Sequence, residues 1–316
     1  MTALDLKMAV AGANWIAVGS QVTLGMTGYY SPLPKGSTVS MVAGDPGEIC
    51  MDAPMDVADG KYHFAFTTPS WYAVTALEGR YGAARKPSPL RTIANFPHDD
   101  RLIFAVKRET GVTSLGQIVK DRVKLKAAVP GPGRHPCYWV ADLVLREYGA
   151  SLEALEGWGG KLVFGRPRNM GAPGEPAVNG EWDAVFDEAI MNRRWEQLST
   201  ENDLIFLSID EPVLQRFTAR GMPRGIIPKG RMRGIERDVA TLDLSGHLLF
   251  CREDLPDEVA YLATQAIDEK KAAIDRLFPP PYAALTSPID MRFLAASAPL
   301  PLHRGAEKYY REKGYI

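Results

Sequence analysis

Lys124-Leu125-Lys126-Ala127-Ala128-Val129-Pro130-Gly131-Pro132-Gly133-Arg134-His135-Pro136-Cys137 decides the class of fold. A short apolar run ends in a turn built from prolines and glycines. Behind it Val140, Leu143 and Val144 recur at helical spacing, and Gly149 stands where a helix would stop. Strand, glycine turn and helix in that order make one half of a βαβ unit. Working outward, the same alternation repeats. Leu6–Ala11, Ser37–Val42, Tyr62–Phe66, Leu102–Val106, Lys124–Val129, Trp182–Phe186, Leu204–Leu207 and His247–Cys251 read as strands. Residues 15–30 read as a helix after a loop holding Gly12 and Asn14. Ser114 and Gln117 have the spacing of a capping box. The stripe of Val259, Leu262, Ala263, Ala266 and Ile267 continues helically after Pro256, and a last helix near residues 304–313 ends at Gly314. Residues 165–180 and 218–236 read as long loops. An α/β protein with a mainly parallel sheet is the expectation.

The composition fits that class. At 316 residues the chain is long enough for about two domains. Lys plus Arg is 37 and Asp plus Glu is 38, a net charge of -1, which argues against non-specific nucleic-acid binding. No apolar run approaches the ~18 residues of a membrane span, so no membrane insertion is expected. Three cysteines, Cys50, Cys137 and Cys251, are odd in number and lack metal-site spacing. No signal peptide is apparent, so the expected location is cytoplasmic if Met1 is the native start and periplasmic if a leader was removed.

Candidate chemistry collects at strand ends. Gly131 and Gly133 let the backbone approach a ligand, the following helix N-terminus favours an anion, and Arg134 supplies a carboxylate clamp. A ligand-free turn is the alternative. Gly44 and Asp45 repeat the pattern after Ser37–Val42. Thr67, Thr68 and Trp71 follow Tyr62–Phe66, where hydroxyls bond a ligand and the indole walls a pocket, or where a threonine merely caps a helix. Asp187 and Glu188 follow Trp182–Phe186 and suit a cationic group or acid–base work; they equally suit a solvated helix start. Cys137, two residues after His135 at a helix N-terminus, has the setting of an activated thiol; an inert buried cysteine is the alternative. His98-Asp99-Asp100-Arg101 shows no partner set for a metal, and no cofactor or metal is expected. Neither GxSxG nor HExxH occurs.

Pro299-Leu300-Pro301-Leu302-His303-Arg304-Gly305-Ala306-Glu307-Lys308-Tyr309-Tyr310-Arg311-Glu312-Lys313-Gly314 resembles the C-terminus of TAXI-type solute receptors of TRAP transporters, in the periplasmic-binding-protein-like class. Gly111–Leu115, Pro130–Gly133, Asn179–Ala184 and Val259–Tyr261 agree with it in order. Arg304 stands for the usual proline, Ala43-Gly44-Asp45-Pro46 for a Thr-Gly-Gly-Ser loop, and Pro132 for a loop serine. The resemblance implies a two-lobed periplasmic-binding-protein type II-like α/β fold with a hinge and an interlobe ligand cleft. One lobe would comprise residues 1–105 plus 247–316 and the other 106–246, with Leu102–Val106 and His247–Cys251 as the crossing strands. It implies a small carboxylate ligand such as an amino or oxo acid, with TRAP membrane subunits as partners if the protein is exported. Asn14, Gly44, Asp45, Thr67, Thr68, Trp71, Gly131, Gly133, Arg134, His135, Asp187 and Glu188 would bind it. The alternative is a cytoplasmic decarboxylase- or lyase-like enzyme on the same scaffold, acting on an aromatic or other carboxylic acid, with His135, Cys137, Asp187 and Glu188 as acid–base groups.

Overall fold

The computed structural model describes residues 2–28, 31–44, 47–79, 89–131, 135–167, 177–178, 181–189, 193–277 and 288–316, without the side chains of 13, 14, 47, 48, 177, 178 and 193. In chain order the elements begin with β1 (Asp5–Ala11), α1 (Gly12–Met26), β2 (Thr38–Gly44), α2 (Ala53–Ala58), β3 (Phe64–Thr67), α3 (Tyr72–Leu77) and β4 (Leu90–Phe96). Next come β5 (Leu102–Lys107), α4 (Leu115–Lys120), β6 (Lys126–Val129), α5 (Pro136–Glu147), α6 (Ala154–Gly157), β7 (Lys161–Phe164), β8 (Arg166–Pro167) and β9 (Ala177–Val178). The rest are β10 (Ala184–Glu188), α7 (Arg193–Glu201), β11 (Leu204–Phe206), α8 (Glu211–Thr218), β12 (Arg224–Ile227), β13 (Val239–Leu242), β14 (His247–Arg252), α9 (Asp257–Leu277), α10 (Met291–Ala296) and α11 (Arg304–Glu312).

The chain forms two compact units, Met1–Asp99 with Ser245–Ile316, and Asp100–Leu244. The first is built on a five-stranded sheet in the order β2-β1-β3-β14-β4. β1 runs parallel to β2 and β3, and β14 is antiparallel to β3 and β4. The second has the order β11-β5-β10-β6-β7, with β6 parallel to β7 and β10, and β5 antiparallel to β10 and β11. The α/β class is therefore as expected, but both sheets are mixed rather than mainly parallel. The antiparallel strand in the second sheet is β5, the first strand after the chain enters that unit, and in the first sheet it is the late-returning β14. β14 comes back after all of the second unit and lies antiparallel to its neighbours.

The main chain passes from the first unit to the second at Asp99–Asp100 and back at Leu244–Ser245. Leu102–Val106 lies wholly in the second unit and His247–Cys251 wholly in the first, so neither is a crossing strand. Where the two passages enter the second unit they are joined. Arg101 Nη1 reaches Asp243 Oδ1 at 2.9 Å, and the Leu244 amide donates to Asp100 O at 3.1 Å. Gly225 makes room for this clip, because a Cβ there would lie 2.6 Å from Arg101 Cδ.

Local signals set the helix ends. Ser114 Oγ accepts from the Gln117 amide at 3.1 Å, half of the expected capping box. Gln117 Oε1 returns the bond to the Thr113 amide rather than to Ser114. α5 stops at a left-handed Gly149 (φ 97°), as its sequence implies. α1 starts at Gly12, three residues earlier than expected, so Asn14 sits in the first helical turn and not in a loop. Asp187 and Glu188 are the last residues of β10 rather than residues after it. The two long loops are not wholly irregular either: β8 pairs with β9 within 165–180, and β12 forms a hairpin with β13 within 218–236.

Each sheet has its own core. Ala9, Ala11, Val57, Ala65, Leu248 and Phe250 are buried in the first, and Ile103, Ala105, Val185, Trp195, Phe206 and Ile227 in the second. Among the described residues no helix is long and apolar enough to cross a membrane.

Candidate functional site

In the second unit the candidate residues meet at the carboxyl ends of β6 and β10. Gly131, at the end of β6, is left-handed (φ 54°), a conformation that needs glycine. Gly133 and Arg134 lie outside the described residues. His135 is the N-cap of α5. Its Nδ1 accepts from the Cys137 amide at 3.2 Å, and Pro136 at the first helical position has no N–H to satisfy. This fixes His135 Nδ1 as an acceptor.

Asp187 and Glu188 are adjacent, and adjacent strand residues ordinarily point to opposite faces. Here one arginine spans both. Arg166 Nε donates to Asp187 Oδ2 at 2.6 Å, while its Nη2 donates to Asp187 Oδ1 at 3.1 Å and to Glu188 Oε1 at 2.9 Å. The Glu188 amide also donates to Asp187 Oδ1 at 2.8 Å, and Trp195 Nε1 donates to the Glu188 carbonyl at 2.8 Å. Cys137 Sγ donates to Glu188 Oε2 at 3.2 Å. Asp187 is fully buried, whereas the Glu188 side chain keeps 17% of its surface. Burial pushes the Asp187 carboxyl up from the ordinary carboxylate range, and Arg166 opposes that shift.

The Cys137 thiol is not activated. Burial raises it well above the usual thiol range, and the Glu188 and Asp187 carboxylates raise it further. The helix N-terminus that would favour a thiolate is outweighed by two carboxylates and an apolar surround. Cys137, Asp187 and Glu188 place one donor atom each within 4.8 Å of one another, a spacing a metal ion would accept. Arg166 already holds three of the four carboxylate oxygens, so an ion there would have to displace it.

In the first unit β1, β2 and β3 are parallel, so their carboxyl ends lie side by side. Gly44 ends β2 opposite Ala11, and α1 starts directly after Ala11. That start carries neither a side-chain cap nor an acidic residue, and its N–H groups make a natural anion cradle. Asp45 and the side chain of Asn14 lie outside the described set. The candidate hydroxyls donate to the protein itself. Thr67 Oγ1 bonds Cys50 O at 2.9 Å, Thr68 Oγ1 bonds Gly246 O at 3.3 Å, and Ser70 Oγ bonds Ser245 O at 3.3 Å. The Thr68–Pro69 peptide is cis, and Trp71, not a threonine, occupies the cap position of α3, with its side chain buried.

Sequence reasoning missed two groups. One is Arg166, which sits in a segment read as loop. The other is the aromatic stack of Trp15 with His247, edged by His98 and flanked by Phe66. Buried histidine at the head of an apolar strand was the available signal for the second; nothing local marks the first.

Residues 54–314, well over half of the chain, match the sequence model of the NMT1-like family. No curated protein matches the sequence significantly. Among solved structures, iron-bound HitA from Pseudomonas aeruginosa is 13% identical over 99% of this chain and 98% of its own, with a TM-score of 0.42. A Xanthomonas citri protein bound to ATP is 9% identical, covers 98% of both chains and has a TM-score of 0.49. A TctC solute-binding protein from Polaromonas is 13% identical over 99% and 98%, with a TM-score of 0.42. On the extent of its sequence match, the chain belongs to the NMT1-like family.

Proposed function

We propose that this protein is a solute-binding protein of the TAXI type whose ligand is a small organic acid, an amino or oxo acid. The observation that carries this reading is the start of α1. Three parallel strand ends adjoin a helix N-terminus that, among the described residues, has no side-chain cap and no acidic residue in its first turn. Such a place favours a ligand carboxylate. Asn14, Gly44, Asp45, Thr67, Thr68 and Trp71 are its proposed surroundings. In the second unit Gly131, Gly133, Arg134 and His135 are proposed to hold an acidic group. Glu188 is the better candidate there for an amine or hydroxyl, because Asp187 is buried and held bidentately by Arg166. TRAP-type membrane subunits are the proposed partners if the protein is exported.

The test is a thermal-shift panel of amino, oxo and aromatic acids on the full chain. At about 100 times its Kd a true ligand should raise Tm by about 5 °C. Silence across the panel would overturn the reading. A second reading, an acid–base enzyme for a carboxylic acid, is favoured by the buried carboxyl of Asp187 with its raised pKa beside Glu188. Product formed from a panel acid, and lost in Glu188→Gln, would support it; a bound but unchanged acid would remove it.

A further inference from the structure

His247 heads β14 and is fully buried, and among the described residues neither of its ring nitrogens has a hydrogen-bond partner. Buried polar atoms in folded proteins are nearly always paired, so two orphan nitrogens on one ring call for a reason. The ring stacks on Trp15, one turn into α1, with an interplanar angle of 28°. Phe66 of β3 lies 5.0 Å away between ring centroids, and His98, just past β4, meets the ring edge-on at 6.4 Å.

Among the described residues no carboxylate is found to act on this ring. α1 (GANWIAVGSQVTLGM) and β3 (FAFT) contain no ionisable residue. The charges on the other strands are engaged elsewhere: Lys7 lies near Asp5, Arg91 pairs with Glu253, and Arg252 pairs with Asp254. The ionisable group that acts on His247 is His98, and it opposes a second positive charge.

We infer that His247 is a proton-operated latch: neutral, it holds the first turn of α1 against the sheet through Trp15, and protonated, it must leave the stack and release that turn. Imidazolium in this cage has lost its hydration and has only the weaker attraction of ring faces in exchange, with no described acceptor for its N–H groups. The released ring regains water, so the open form takes up the proton that the closed form refuses. With an exposed histidine titrating near pH 6.5, one such proton makes opening about tenfold more frequent at pH 5.5 than at pH 7.5. Release would expose the uncapped N-terminus of α1, and the latch operates whether or not that N-terminus receives an acid.

Amide hydrogen exchange of the ligand-free full chain tests this. After correction for the intrinsic pH dependence of exchange, residues 11–20 should exchange about tenfold faster at pH 5.5 than at pH 7.5. His247→Phe should abolish the rise, and His247→Leu serves if that variant does not fold. His98→Gln should keep it. Corrected exchange at 11–20 that is unchanged with pH in the wild type, or a rise that survives removal of His247, would overturn the latch.

Discussion

The two units bury polar groups to the same depth and treat them in opposite ways. In the second unit Asp187 is fully buried, and Arg166, Glu188 and Cys137 form a bonded network around it. In the first, His247 is equally buried and stacked on Trp15, and its nitrogens find no hydrogen-bond partner among the described residues. In the first arrangement Arg166 offsets part of the burial that raises the Asp187 carboxyl; in the second, burial lowers the His247 imidazole and His98 adds to that shift. Depth alone thus says nothing about how a group titrates. The partner set does: a guanidinium opposes the effect of burial at one site, and a second imidazole adds to it at the other.

The largest expected effect breaks the bonded site. Arg166→Met leaves the buried Asp187 carboxylate uncompensated and should cost about 3–5 kcal/mol in urea unfolding. The loss should be greater at pH 8 than at pH 5. Without Arg166 the Asp187 carboxyl rises further, and stability tied to a raised pKa is present at low pH and lost as pH rises through it. Adding Asp187→Asn should recover much of that loss; no recovery would show that Arg166 acts through packing instead.

Next in size is the unbonded site. Burial holds the His247 pKa well below 6.5, so its contribution is fully present above about pH 6.5 and is lost as pH falls. Between pH 7.5 and 5.5 about 1.4 kcal/mol should disappear from the urea-unfolding free energy, and His247→Phe should flatten that slope.

Much of this contrast was hidden from the sequence, for a physical reason. Periodicity reports local structure, and the eight strands read from it fall within a few residues of their observed bounds, whereas β4, β7, β12 and β13 and the short helices α2, α3 and α6 went unread. The capping of α4 by Ser114 was legible. The carboxylates at the end of β10 were visible as a pair. Their partner Arg166 was not, because a contact across 21 residues leaves no local trace and the segment looked irregular. The mixed first sheet escaped for the same cause: the direction of β14 depends on a chain that leaves for a whole unit and comes back. Of the two readings of Cys137 the inert buried thiol stands, since burial and two distant-in-sequence carboxylates outweigh one helix end.

That outcome gives a smaller prediction. Folded protein at pH 8 should leave Cys137 unmodified by iodoacetamide, with alkylation appearing only in denaturant. Rapid labelling in the folded state would mean the Glu188 contact is absent. The smallest effect concerns the cap alone. Ser114→Ala should cost about 1 kcal/mol and leave both buried sites unaltered.

The central claim, capture of a small organic acid, is met most directly by isothermal titration of the full chain at pH 7.5 with L-glutamate, 2-oxoglutarate and phthalate in turn. The account predicts saturable one-to-one binding of at least one of them, with the acid recovered chemically unchanged. Absence of binding by all three at millimolar concentration, or recovery of a converted product, would contradict it.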